Sequence, residues 1–241
     1  MSGHSKWNNI KHKKEKSDAA KAKIFTKIGK EMSVAIKAGG PDPTVNTKLR
    51  DLIAKAKANN VPNENIQRTI KKFSENNDIN YEEISYEGYG PSGVAIIVEA
   101  STDNRNRTAG NVRSWFNKYG GNLGQNGCVA YLFEEKGVIT IIDEDDEIDE
   151  DKIMEDALEC GAEDIKCDEG EYSIYTASED LDSVRDAIIA LGYKIDTADL
   201  AKVPSTYVTL DNPEDVENME KMLDKFNEDD DVTAVFTNWD N

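Results

Sequence analysis

The hydrophobic positions keep a helical period from residue 17 to residue 77 and then break into short runs. Ile24, Phe25, Ile28, Met32, Ala35 and Ile36 fall on one face of a helix. Ser17 or Asp18 can cap its start, and Gly39, Gly40 and Pro41 end it. A second helix is expected over about 47–58, with Leu49, Leu52, Ile53 and Ala56 inward. A third, capped by Asn63, carries Ile66, Ile70 and Phe73. Short amphipathic helices bury such stripes only against one another, so residues 17–77 should make a small helical domain.

After residue 80 the pattern predicts a strand at 94–99, a helix at 104–119 closed by Gly120–Gly121, and a strand at 129–133. Next come a strand at 138–142, a helix at 148–160, strands at 162–167 and 172–176, a helix at 181–191 and a strand at 194–201. That order, βαββαβ, is the ferredoxin-like unit. Beyond Pro204 a strand at 207–210, a helix at 213–226 and a strand at 232–236 make a further βαβ. The expected architecture is therefore α+β with three domains. A basic arm and helical domain occupy 1–77. A discontinuous α+β domain combines 78–134 with 205–241. A second ferredoxin-like α+β domain, 135–204, is inserted into it.

Charge divides along the same line. Residues 1–77 hold 17 basic and 7 acidic side chains, and residues 78–241 hold 12 basic and 41 acidic. Such asymmetry points to a polyanion-binding end on an acidic body, with a solvated charged bundle as the plainer alternative. Residues 1–16 have little hydrophobic period and read as a mobile basic arm. The arm and first helix carry Lys6, Lys11, Lys13, Lys14, Lys16, Lys21, Lys23, Lys27 and Lys30. Trp7 could stack on a base or anchor the arm, and His12 suits a phosphate contact or plain solvent exposure. Lysine is a strongly hydrated point charge, suited to phosphate rather than to base readout. A second basic cluster is Arg105, Arg107 and Arg113. The first two lie in a helix's opening turn, where the dipole disfavours cations. Either an external anion or an internal carboxylate should compensate them.

Other chemistry is hard to assemble. His4 and His12 have no carboxylate or cysteine cluster near them in sequence. Cys128, Cys160 and Cys167 form neither a disulfide framework nor a metal motif, which suits a reducing compartment. The acidic run 143–151 fails as an EF-hand, because Ile148 stands where glycine is needed and Met154 where glutamate is needed. Acidic residues entering a helix suit its dipole instead. The glycines of 121–127 follow a helix and precede a strand, the reverse of a dinucleotide loop. They read as a tight connection, or less directly as a place where backbone approaches RNA. No cofactor, metal site or catalytic constellation is expected. With no apolar run of membrane-spanning length and no signal-peptide core, the expected location is cytoplasmic.

Four separated segments carry a resemblance: GHSKWNNIKHKK at 3–14, KIFTKIGKEMSVAIKAGGPDP at 23–43, YEGYGPSGVAIIVEASTDNRNRTAGNVR at 86–113, and GGNLGQNGCVAYLF at 120–133. Together they resemble the YebC family over essentially the whole chain. The resemblance implies a helical domain followed by two α+β domains. It also implies a regulator of gene expression, described for the family as a probable DNA-binding transcriptional regulator. A mitochondrial relative activates translation of a cytochrome oxidase subunit, which implies a second role on the ribosome, relieving stalls such as those at consecutive prolines. The lysine-rich arm and acidic body favour the ribosomal role, with ribosomal RNA as the partner, DNA as the alternative, and a monomer as the expected state.

Overall fold

The computed structural model describes residues 18–75, 80–143, 147–168 and 170–240, with side chains from residue 22 onward apart from that of residue 58. The sequence-predicted arm, with His4 and His12, lies outside these residues. The protein is α+β, with a helical part followed by sheet-containing parts. It divides into two compact units. One is built on Leu132–Tyr207, and the other on the described residues up to Tyr131 together with Val208–Trp239.

In the discontinuous unit, helix α1 (Asp18–Gly39) packs against α2 (Thr47–Ala58) and α3 (Asn63–Glu75). Their shared core is Ile28, Met32, Ala35 and Ile36 from α1, Leu49, Leu52 and Ala56 from α2, and Ile66 from α3. Asn46 fixes the α1–α2 corner. Its side chain accepts from Leu49 N at 3.1 Å and donates to Ala35 O at 2.8 Å and Gly40 O at 2.7 Å. One buried amide thus caps α2 and satisfies two carbonyls at the end of α1.

The rest of this unit is a four-stranded antiparallel sheet of order β3-β1-β2-β9. Its members are β1 (Glu82–Tyr89), β2 (Ala95–Thr102), β3 (Asn122–Leu123) and β9 (Val232–Thr237). Helices α4 (Arg105–Lys118) and α7 (Pro213–Glu228) meet through Phe116 and Phe226, whose ring centroids are 5.3 Å apart. A small ladder of β8 (Val208–Thr209) with β10 (Trp239–Asp240) completes it. The helical part and this sheet belong to one compact unit.

Two details depart from the sequence pattern. Strand β1 was not anticipated: Tyr86, Glu87 and Gly88 are buried in succession, so no alternation marks it. The strand expected at 129–133 is instead a 3-10 turn, Ala130–Leu132, that runs into β4 (Phe133–Ile142). The cause is Glu87. Its carboxylate accepts from Gly127 N at 2.7 Å, Val129 N at 2.9 Å and Ala130 N at 2.8 Å. Those N–H groups are therefore committed to a side chain and cannot join a ladder. The glycines do make a tight connection: a Cβ at Gly121 would lie 2.6 Å from Tyr89 O.

The continuous unit has the sheet order β5-β6-β4-β7, antiparallel throughout, which is the ferredoxin-like order. Besides β4 it contains α5 (Glu150–Glu159), β5 (Asp164–Asp168), β6 (Glu171–Ala177), α6 (Leu181–Ala190) and β7 (Thr197–Pro204). One sheet face packs Ile139, Ile141, Ile165, Tyr172 and Ile174 against Ile153 and Ala157 of α5 and Val184 and Ile188 of α6. Two described residues of the acidic run, Asp143 and Asp149, act as caps. Asp143 accepts from Glu147 N and Ile148 N, and Asp149 caps α5 through Lys152 N. Among the described residues no group of carboxylate, cysteine or histidine side chains is placed to hold a metal ion.

Candidate nucleic-acid interface

The lysines expected to meet phosphate divide into three sets. Lys6, Lys11, Lys13, Lys14 and Lys16, with Trp7 and His12, lie outside the described residues. Lys21 belongs to the first turn of α1, and its side chain also lies outside them. The third set, Lys23, Lys27 and Lys30, sits on one face of α1 and meets an internal target. Lys23 donates to Glu228 O at 3.3 Å, Lys27 to Asn227 O at 3.1 Å, and Lys30 to Asp230 O at 2.8 Å. These acceptors are the carbonyls at and just past the end of α7. A helix's C-terminal end carries partial negative charge and unsatisfied carbonyls, so three ammonium groups there are well placed.

Lys30 goes further and reaches Asp231, with Nζ 2.7 Å from Oδ1. On the other oxygen, Oδ2, Arg107 Nη2 donates at 2.7 Å, Thr108 Oγ1 at 2.9 Å and Thr102 Oγ1 at 3.2 Å. Asp231 is 4% exposed. Burial pushes its carboxyl up, but hydrogen bonds from Lys30, Arg107 and Thr108 outweigh that and hold it at about 2. The Arg107 guanidinium is pushed up in turn, first by Asp231 and then by Asp103. Asp231 thus ties α1 to α4 and to the end of β2, and Arg107 has its compensating carboxylate inside the protein.

Arg105 and Arg113 are placed differently. Both are exposed, and neither has an ion pair among the described residues. They lie eight residues apart on α4, with Ala109 midway and Gly110 beside it. A Cβ at Gly110 would meet nothing within 4 Å. This flat, cationic helix face could approach a phosphate backbone closely. Of the three arginines, α4 therefore presents two outward and spends the third on Asp231. Sequence spacing alone could not separate them, because Asp231 lies 124 residues from Arg107.

Some exposed residues escaped the sequence reading. Tyr131 is 73% exposed, just after the loop that Glu87 organises, and Gln125 and Asn126 are exposed on that loop. A solvent-facing tyrosine beside two amides offers a stacking surface and hydrogen-bonding groups. The one signal in the sequence is an aromatic residue within the run 129–133, whose pattern predicts a strand. No helix among the described residues is long and apolar enough to cross a membrane.

Residues 5–76 match the family model for the TACO1/YebC protein N-terminal domain, and residues 81–239 match the model for the TACO1/YebC second and third domain. A probable transcriptional regulatory protein from Acetivibrio thermocellus is 55% identical over 240 residues, covering 99% of each chain. One of the same description from Agathobacter rectalis is 53% identical over 241 residues, covering 100% of each. Among solved structures, a conserved hypothetical protein from Aquifex aeolicus superposes with a TM-score of 0.83 at 43% identity, covering 92% of this chain and 91% of that one. With both family models matched and full-length relatives above half identity, the chain belongs to the TACO1/YebC family.

Proposed function

We propose that this protein is a non-catalytic, cytoplasmic, nucleic-acid-binding regulator of gene expression. It grips phosphate with the lysines of residues 1–16 and with Arg105 and Arg113. The observation that carries this reading is the segregation of charge: 17 basic against 7 acidic residues up to residue 77, then 12 against 41. The internal use of Lys23, Lys27, Lys30 and Arg107 narrows the contact set to the arm and the exposed face of α4. The relatives' description as probable transcriptional regulatory proteins supports DNA as the target. A direct test measures binding to labelled duplex DNA across a salt series. Reversing Lys11, Lys13 and Lys14 to Glu should weaken binding and reduce the log–log salt slope by roughly 2.7, at about 0.9 per lost contact. An unchanged slope would remove the arm from the interface.

A second reading places the protein on the ribosome, contacting ribosomal RNA and relieving stalls. It is favoured by the acidic body, which a long duplex lying alongside would repel and which a single-ended contact tolerates. Sedimentation with ribosomes at physiological salt, lost in the same lysine-reversed variant, would establish it. A promoter complex that rejects scrambled DNA, with no ribosome sedimentation, would establish the transcriptional role instead.

A further inference from the structure

Helix α4 has two polar sides, and the fold uses one of them. On the inner side Arg107 and Thr108 donate to Asp231, and Asn111 donates to Asp229 at 3.0 Å. On the outer side Asn106, Gly110, Arg113 and Asn117 recur at i, i+4, i+7 and i+11. They form one solvent-facing stripe about 16 Å long, with Ser114 beside it. All five residues are exposed. The side chains of Asn106, Arg113, Ser114 and Asn117 make no hydrogen bond or ion pair among the described residues.

Two properties of this stripe have no cause inside the fold. The first is charge. Residues 78–241 hold 41 acidic side chains against 12 basic, yet α4 contains no Asp or Glu. Every other α-helix among the described residues carries at least one. At Asn106, in the opening turn, the helix dipole would even favour a carboxylate. The second is Gly110. Glycine is a poor helix former, and here it stands in mid-helix. Its φ is not positive, and a Cβ would meet nothing within 4 Å, so neither backbone nor packing calls for it. A gap at the centre of an acid-free, partly cationic stripe is complementary to a polyanion that comes close to the helix backbone.

We infer that this stripe reads base sequence in duplex DNA, with α4 seated in the major groove. The inference rests on the nucleic-acid reading above and adds where base identity is sensed. An α-helix fits the major groove, and an asparagine amide pairs there with both N6 and N7 of adenine. Asn106 and Asn117 offer such amides at the two ends of the stripe, and Gly110 between them lets the backbone approach the base edges. Arg113, with Arg105 at the flank, holds the adjoining phosphates. The deep, narrow major groove of A-form RNA does not admit side chains of this reach, which selects DNA as the occupant.

Selection from a randomised duplex DNA pool by the full-length protein tests this. The recovered sequence and a scrambled duplex of the same composition are then compared at one salt concentration. The wild type should enrich an adenine-containing motif. Asn106→Ala/Asn117→Ala should lose roughly 10-fold or more of the preference for it, while affinity for the scrambled duplex stays within about twofold. Gly110→Gln should keep the circular dichroism spectrum and raise the melting temperature by roughly 2–4 °C, because it removes a helix glycine, yet lose the same preference. A pool that binds without enriching any sequence would overturn base reading and leave the phosphate grip standing. So would a preference that survives in both variants. A pool that does not bind at all would overturn both.

Discussion

Two buried carboxylates, one in each unit, meet opposite fates. Asp231 receives an ammonium, a guanidinium and two hydroxyls, and its carboxyl is held at about 2. Glu171 receives nothing, and its carboxyl is driven to about 7. Both sit beside a four-stranded antiparallel sheet, so architecture does not explain the difference. Partners do. Ionised groups persist in a protein interior where donors surround them, and where donors are missing the proton returns. Asp231 is a structural junction that joins helical part to sheet. Glu171 has no donor to hold its charge, so burial keeps its proton on.

The largest effect should come from breaking the junction. Asp231→Ala leaves Lys30, with a side chain only 12% exposed, facing no carboxylate. Urea denaturation should show a loss of about 3–5 kcal/mol. Arg107, roughly half exposed, can turn to water and to Asp103, so Arg107→Ala should cost less than half of that.

Acid should act on the same junction. The folded carboxyl of Asp231 sits at about 2 against 3.8 for the ordinary group. Its contribution is complete above pH 3.8 and disappears as pH falls through 2. That is about 2 kcal/mol of stability, and Asp231→Asn should flatten this part of the pH profile. Glu171 has the opposite sign. Its folded carboxyl at about 7, above the ordinary 4.5, makes stability fall as pH rises from 4.5 to 7. Glu171→Gln should therefore stabilise the protein at pH 8 by about 2 kcal/mol, read by urea denaturation, and the gain should vanish below pH 4.5.

Smaller effects calibrate the comparison. Asn46→Ala removes the α2 cap and the donors to Ala35 O and Gly40 O, and should cost about 1–2 kcal/mol by thermal or urea unfolding. Lys48→Ala breaks a pair with Glu83 in which both side chains are near half exposed, and should change stability by less than about 0.5 kcal/mol.

Much of the fold was legible in the chain. The helical stripe from Ile24 to Phe73 reappears as one core, and the βαββαβ order gives the ferredoxin-like sheet. What could not be read depended on pairings distant in sequence. Nothing near Lys23, Lys27 or Lys30 announces that the end of α7, some two hundred residues later, will take their charge. Arg105 and Arg107 are near neighbours of one type, and only Asp231 tells them apart. Glu87 gives no local sign that it will claim three backbone N–H groups and replace a strand with a turn. Local periodicity reports burial well, whereas a charged side chain's role is set by whichever opposite group the tertiary structure delivers.

The order of synthesis gives the discontinuous unit a further consequence. Strand β2, with Ile96, Ile97 and Val98, pairs on one edge with β9, the segment Val232–Thr237. During translation that edge stays unpaired until β9 has been made, while the ferredoxin-like sheet within Leu132–Tyr207 can close first. A nascent or truncated chain ending before Val232 therefore presents an apolar strand edge of the kind that recruits other strands. Synthesis of the segment Val232–Thr237 is the event that closes this edge against aggregation.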